Sequence, residues 1–208
     1  MKHIALLGDS ILDNRAYTLG EPDVATHLRR LVPAWTVTLC AIDGSTTSDL
    51  SQQTGDVPRD ASHIVVSIGG NDALLNIDLL RKPVQSTTEA LTLFGERIRQ
   101  FETSYREALD HVLSLQRRTA ICTIYNGNLD PPEAPLARIV LMMFNDVILR
   151  CGFERRLPII DLRLVCNEAS DYANPIEPSG SGGLKIAKAI ASWLESSEPR
   201  AWSVVHAS

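Results

Sequence analysis

Apolar and polar positions along the chain form an alternating series of short and long segments. Five short apolar runs, Ile4–Leu7, Thr36–Ala41, Ile64–Ile68, Thr119–Tyr125 and Leu157–Leu162, are rich in Val, Ile, Leu or Thr and are bounded by turn residues. Runs of this kind read as β-strands, and their continuous apolar character fits parallel strands covered on both faces. Longer segments with helical character lie between them: Asp23–Leu31, Thr87–Leu115 with a candidate break near Gly95, Leu136–Arg150 and Gly183–Leu194. In Leu136–Arg150 the residues Ile139, Leu141, Met142, Val147 and Ile148 give one strongly apolar side. Strand and helix alternate, so the expected fold is α/β, with a three-layer, doubly wound, parallel five-stranded sheet.

In an open sheet of this type, ligands bind outside the carboxyl ends of the strands. Small and polar residues follow the predicted strands: Gly8-Asp9-Ser10-Ile11-Leu12-Asp13-Asn14, then Asp43-Gly44-Ser45, Gly69-Gly70-Asn71-Asp72, and Asn126-Gly127-Asn128. Two loops are marked by Pro and Gly, Asn126–Pro135 and Asn167–Ser181. Gly8 can release the chain into a sharp turn that lifts the Ser10 hydroxyl above the sheet, although Asp9 or Ser10 would equally serve as a helix cap. Gly69 and Gly70 let backbone approach a ligand, and Asn71 offers an amide donor; a plain turn is the competing reading. Gly44 alone carries little information.

Taken together, the three sites resemble the SGNH (GDSL-type) hydrolase superfamily. Gly8-Asp9-Ser10-Ile11-Leu12-Asp13-Asn14 is similar to its first block, Gly44 to the glycine of its second, and Gly70-Asn71-Asp72 to its third. The resemblance implies a flavodoxin-like SGNH hydrolase fold. It also implies Ser10 as nucleophile and an oxyanion hole from Ser10 N–H, Gly44 N–H and the Asn71 side chain. Its substrates would be small ester or acetylated compounds, and no cofactor or metal is expected.

The last block departs from the family pattern. Where the family reads Asp-x-x-His-Pro, this chain reads Asn174-Pro175-Ile176-Glu177-Pro178. The ordinary base and its orienting carboxylate are therefore replaced. His3 and His63 precede strands whose far ends carry Ser10 and Asn71, which places them roughly 20 Å from the site at about 3.3 Å per residue. His27 and His111 fall inside helices, and His206 lies in the tail. Glu177 is the remaining candidate base. Burial would raise the basicity of its carboxylate, and a structural role at the start of the final helix is an equal alternative. Two functional readings follow: a serine-dependent ester hydrolase, and a non-catalytic or weakly active small-ligand-binding protein on the same fold. A nucleotide or flavin binder is disfavoured because neither a Gly-x-Gly-x-x-Gly fingerprint nor a P-loop is present.

Composition narrows the partners. The formal net charge is −5, and the Arg pairs at 29–30, 117–118 and 155–156 are isolated. Nucleic acid and anionic membranes are thus not expected partners. An aromatic content of 5% gives no sign of a lipid-binding surface. The four cysteines form no CxxC pair, and their apolar settings fit a reducing compartment. The apolar run at the N-terminus is too short for a signal or a membrane span, so a cytoplasmic location is expected. Residues 1–196 read as one domain and residues 197–208 as a peripheral tail. Oligomeric state is left open.

Overall fold

The computed structural model describes residues 2–196 and the backbone of Val205 and His206. The strands are β1 (His3–Gly8), β2 (Thr36–Leu39), β3 (His63–Ser67), β4 (Arg118–Cys122), β5 (Ile159–Ile160) and β6 (Val205–His206). They form one sheet in the order β2-β1-β3-β4-β5-β6, and every pairing is parallel. The five expected strands are thus present in a doubly wound order, and β6 adds a two-residue edge strand beside β5. The rest of the expected tail lies outside the described residues.

Alternation along β1 divides the core between the two faces, because successive strand side chains point in opposite directions. Ile4 and Leu6 pack against α1 (Val24–Leu31) and α7 (Gly180–Glu195). Ala5 and Leu7 face the opposite layer, built from α2 (Leu50–Gly55), α3 (Gly70–Leu74), α4 (Thr87–Ser114) and α5 (Glu133–Glu154). A four-residue helix, α6 (Leu162–Val165), follows β5. Helix starts are set by side-chain caps: Asp23 accepts from Thr26 N–H at 2.6 Å, Ser86 from Glu89 N–H at 3.1 Å, and Ser179 from Gly182 N–H at 3.1 Å.

Three differences from the sequence expectation have local causes. Helix α4 runs unbroken through Gly95. A glycine costs a helix only about 1 kcal/mol against Ala, and the buried stripe Phe101, Tyr105, Ala108, Leu109 and Val112 fastens the helix to the sheet. Strand β4 stops at Cys122 rather than Tyr125. Asn145, fully buried on α5, accepts from Ile124 N–H and donates to Ile124 O, each at 2.8 Å, so a side chain replaces the next ladder pair. Strand β5 is short because Pro158, just before it, has no N–H to donate, while Asp161, just after it, caps α6 through Arg163 N–H. None of the described helices is long and apolar enough to cross a membrane.

Candidate active site

The carboxyl ends of β1, β3 and β4 converge with the loop before α7 around one pocket. Ser10, Asn71 and Glu177 all line it, together with Asp9, Gly70 and Tyr125. Ser10 arrives through the turn expected from the sequence. Gly8 has φ +138°, and a Cβ there would lie 1.8 Å from the Ser67 carbonyl oxygen, so only glycine fits at the close approach of β1 and β3. Asp9 N–H then donates to Ser67 O at 3.1 Å, and Asp9 Oδ1 accepts from Ile11 N–H at 3.1 Å. These bonds fix the turn that carries the Ser10 hydroxyl.

Gly44 does not line the pocket, and it is exposed on the loop after β2. That loop is nevertheless tied to the site. Asn71 donates one amide hydrogen to Ser45 O at 2.9 Å, which leaves its second hydrogen available. Asp72 accepts from Thr47 N–H at 3.1 Å and from the Thr47 hydroxyl at 2.6 Å.

A residue that sequence reasoning missed joins the same loop to β1. The buried Gln53 side chain accepts from Gly8 N–H at 2.8 Å, donates to Gly8 O at 2.8 Å, and donates to Ser45 Oγ at 3.1 Å. It stands where a neighbouring strand would continue, and no motif marks it, because its partners lie far away in sequence.

Glu177 is held over Ser10 by a stiff loop. Asn174 Oδ1 accepts from Ile176 N–H at 3.0 Å and Glu177 N–H at 2.9 Å, an Asx-turn. Asn128 N–H donates to Pro175 O at 2.8 Å, and the Tyr125 hydroxyl donates to Ile176 O. Asn14, fully buried after the Ser10 turn, donates to Pro178 O at 3.2 Å and accepts from Val24 N–H at 2.9 Å. Asn174 therefore shapes the backbone beneath Glu177.

Two carboxyl oxygens at the site are buried without a hydrogen-bond partner, Asp9 Oδ2 and Glu177 Oε2. Burial pushes the Glu177 pKa above the usual carboxylate range; the Ser10 hydroxyl beside it draws it down, and Asp43 raises it. Asp9 is pushed up to about 8, chiefly by burial, with the Glu177 and Asp72 charges adding to the rise. Burial thus holds both carboxyls above their ordinary values, and Glu177 lines the pocket together with Ser10.

None of the described histidines lines the pocket. His3 bonds the Thr38 hydroxyl at 2.9 Å and Asp60 at 3.1 Å, at the amino end of β1. His63 stacks edge-on against Trp35 and Trp193, and burial lowers its pKa to about 4. His27 and His111 lie on α1 and α4 as expected. The His206 backbone pairs with Ile160, four strands from β1, which is about 19 Å at the spacing of neighbouring strands.

Beyond the polar cluster the pocket is walled by aliphatic side chains from α3, the following turn and α5. Aromatic content was a poor guide to this surface, because Leu, Ile and Val build it. The four cysteines are free and buried, and no group of three or more His, Cys, Asp or Glu among the described residues is placed to hold a metal ion.

Comparison with known proteins agrees with this architecture. The model of the GDSL-like Lipase/Acylhydrolase family matches residues 6–182. Among solved structures, a lipase from a goat rumen metagenome superposes with a TM-score of 0.71 at 18% identity, over 92% of this chain and 97% of its own. An acetylxylan esterase from Geobacillus stearothermophilus gives a TM-score of 0.69 at 17% identity, over 93% and 94%. A psychrotrophic esterase from Pseudoalteromonas gives 0.65 at 15% identity, over 93% and 99%. No curated protein matches. The fold is that of the SGNH/GDSL hydrolases, a class acting on ester bonds. The chain belongs to the GDSL-like Lipase/Acylhydrolase family.

Proposed function

We propose that this chain is a serine-dependent ester hydrolase in which Glu177 takes the place of the usual histidine base. The observation that carries this reading is that the buried Glu177 carboxyl lines the same pocket as Ser10 and Asn71, where no described histidine does. Ser10 Oγ attacks the ester carbonyl carbon while its proton passes to the Glu177 carboxylate. The free hydrogen of Asn71 Nδ2 and the Ser10 N–H stabilise the oxyanion, and Gly44 N–H joins them if its loop turns inward on substrate binding. Collapse of the tetrahedral intermediate breaks the bond to the alcohol oxygen, which leaves with the proton from Glu177. Water then attacks the acyl-serine with Glu177 again as base, releasing the acid and restoring Ser10.

A free glutamate is a weak base toward a hydroxyl, and its elevated pKa narrows the gap. A neutral Asp9 avoids a second negative charge where the oxyanion forms. The test is turnover of p-nitrophenyl butyrate by the wild type, Ser10→Ala and Glu177→Gln, with a folding check on each. Turnover lost in both variants is the expected result; turnover retained in Ser10→Ala contradicts the mechanism.

The second reading, a binding protein on a hydrolase fold, is favoured by the absence of a histidine from the site among the described residues. Glu177→His combined with Asn174→Asp separates the two. Raised hydrolysis supports an active centre, whereas a folded, inert double variant favours binding alone.

A further inference from the structure

We propose that the apolar end of the pocket is an acyl-chain site, and that the preferred esters carry acyl groups of about four to eight carbons rather than acetyl. The inference deepens the serine-hydrolase reading and rests on it.

The whole pocket, its polar end at Ser10, Asn71 and Glu177 included, has a volume of about 140 Å³ and opens to solvent. An apolar cavity of about 150 Å³ stays dry and takes up benzene, a six-carbon guest. Most of the lining here is likewise aliphatic, including Leu74, Ile77, Leu80 and Ile124, with Val140 and Leu141 from α5. An acetyl group would leave these walls unfilled. Recognition of sugar hydroxyls would need several polar groups aimed at the ligand, whereas aliphatic residues outnumber polar ones in the lining and the Asn71 and Asn76 amides each already donate to a backbone carbonyl.

The arrangement also assigns the two ends of the ester. The acyl group stays bonded to Ser10 after the alcohol departs, so it belongs in the part of the site that retains an apolar chain. The alcohol must receive a proton near Glu177 and then leave. That side is polar, because Asp9, Ser10, Asn71 and Glu177 line the pocket there. The preference against acetyl thus follows from the placement of the apolar walls, not from the reacting groups.

The experiment is a kcat/KM series on p-nitrophenyl esters from acetyl to dodecanoyl, together with the pair ethyl hexanoate and hexyl acetate. Each buried methylene should raise kcat/KM by up to about fourfold, so hexanoyl should exceed acetyl by at least about tenfold, with a plateau or fall beyond about eight carbons. Ethyl hexanoate should exceed hexyl acetate. Ala137→Phe, on the half-buried wall of α5, should lower the hexanoyl-to-acetyl ratio. If that variant does not fold, Leu141→Ala should move the optimum to longer chains. Turnover that is greatest with acetyl, or hexyl acetate equalling ethyl hexanoate, overturns the acyl-chain site and leaves the esterase reading standing. No turnover of any ester overturns the esterase reading, and the acyl-chain site with it.

Discussion

The two ends of the sheet are made by the same strands and differ in how their polar groups are used. At the amino end, His3 is held between Thr38 and Asp60, and His63 is bonded to Ser62 and enclosed by two tryptophans. Both histidines there face a hydroxyl, a carboxylate or an aromatic ring. At the carboxyl end, Asp9 and Glu177 each keep a buried oxygen without one, beside an open pocket. Unpaired buried carboxyl groups cost stability. The histidines at the amino end hold the fold, whereas Asp9 and Glu177 at the carboxyl end each keep one oxygen free among neighbours that are otherwise paired. The comparison separates histidines packed into the fold from a glutamate that lines the pocket with an unpaired oxygen.

The largest effect expected from breaking this contrast is at Glu177. Glu177→Gln should reduce kcat/KM by roughly 10²–10⁴, read as initial rates of ester hydrolysis. In the wild type, kcat/KM should rise with pH through the elevated Glu177 pKa, because the base acts only when deprotonated, and that limb should vanish in the variant. Asn71→Ala should cost roughly 10²–10³ in kcat with a smaller change in KM.

A smaller effect belongs to Asp9. Its folded pKa of about 8 lies above the ordinary value of 3.8, so the native state holds this proton more tightly than the unfolded chain does. The penalty is absent below the unfolded pKa, grows as pH rises through that window, and is complete above about pH 8. Asp9→Asn keeps an acceptor for Ile11 N–H and removes the charge. Its melting temperature should exceed that of the wild type by at least about 3 °C at pH 8–9, with the difference shrinking toward pH 4. The smallest effect is at the other end, where Asp60→Ala should leave kcat/KM unchanged.

Much of this architecture was readable in the sequence, because it rests on local signals. The strand positions follow from short apolar runs, and the turn at Ser10 from a glycine that no other residue can replace. The placement of Asn71 and Glu177 beside Ser10 follows from the rule that a parallel sheet collects its loops at one end. Long-range partners were not readable. Gln53 closes the end of β1 across 45 residues, and Asn145 ends β4 across 21. The aliphatic pocket draws on α3 and α5, which meet only in the folded chain. The perturbation of Asp9 has the same origin, since burial and the nearby Glu177 and Asp72 arise from packing.

The central claim is that Ser10 is an activated nucleophile with Glu177 as its base. Intact mass after treatment with a small fluorophosphonate tests it most directly, on the wild type, Ser10→Ala and Glu177→Gln. The account predicts a single adduct on the wild type, none on Ser10→Ala, and much slower labelling of Glu177→Gln. A folded wild-type protein that takes no adduct would contradict it, as would an adduct that persists in Ser10→Ala.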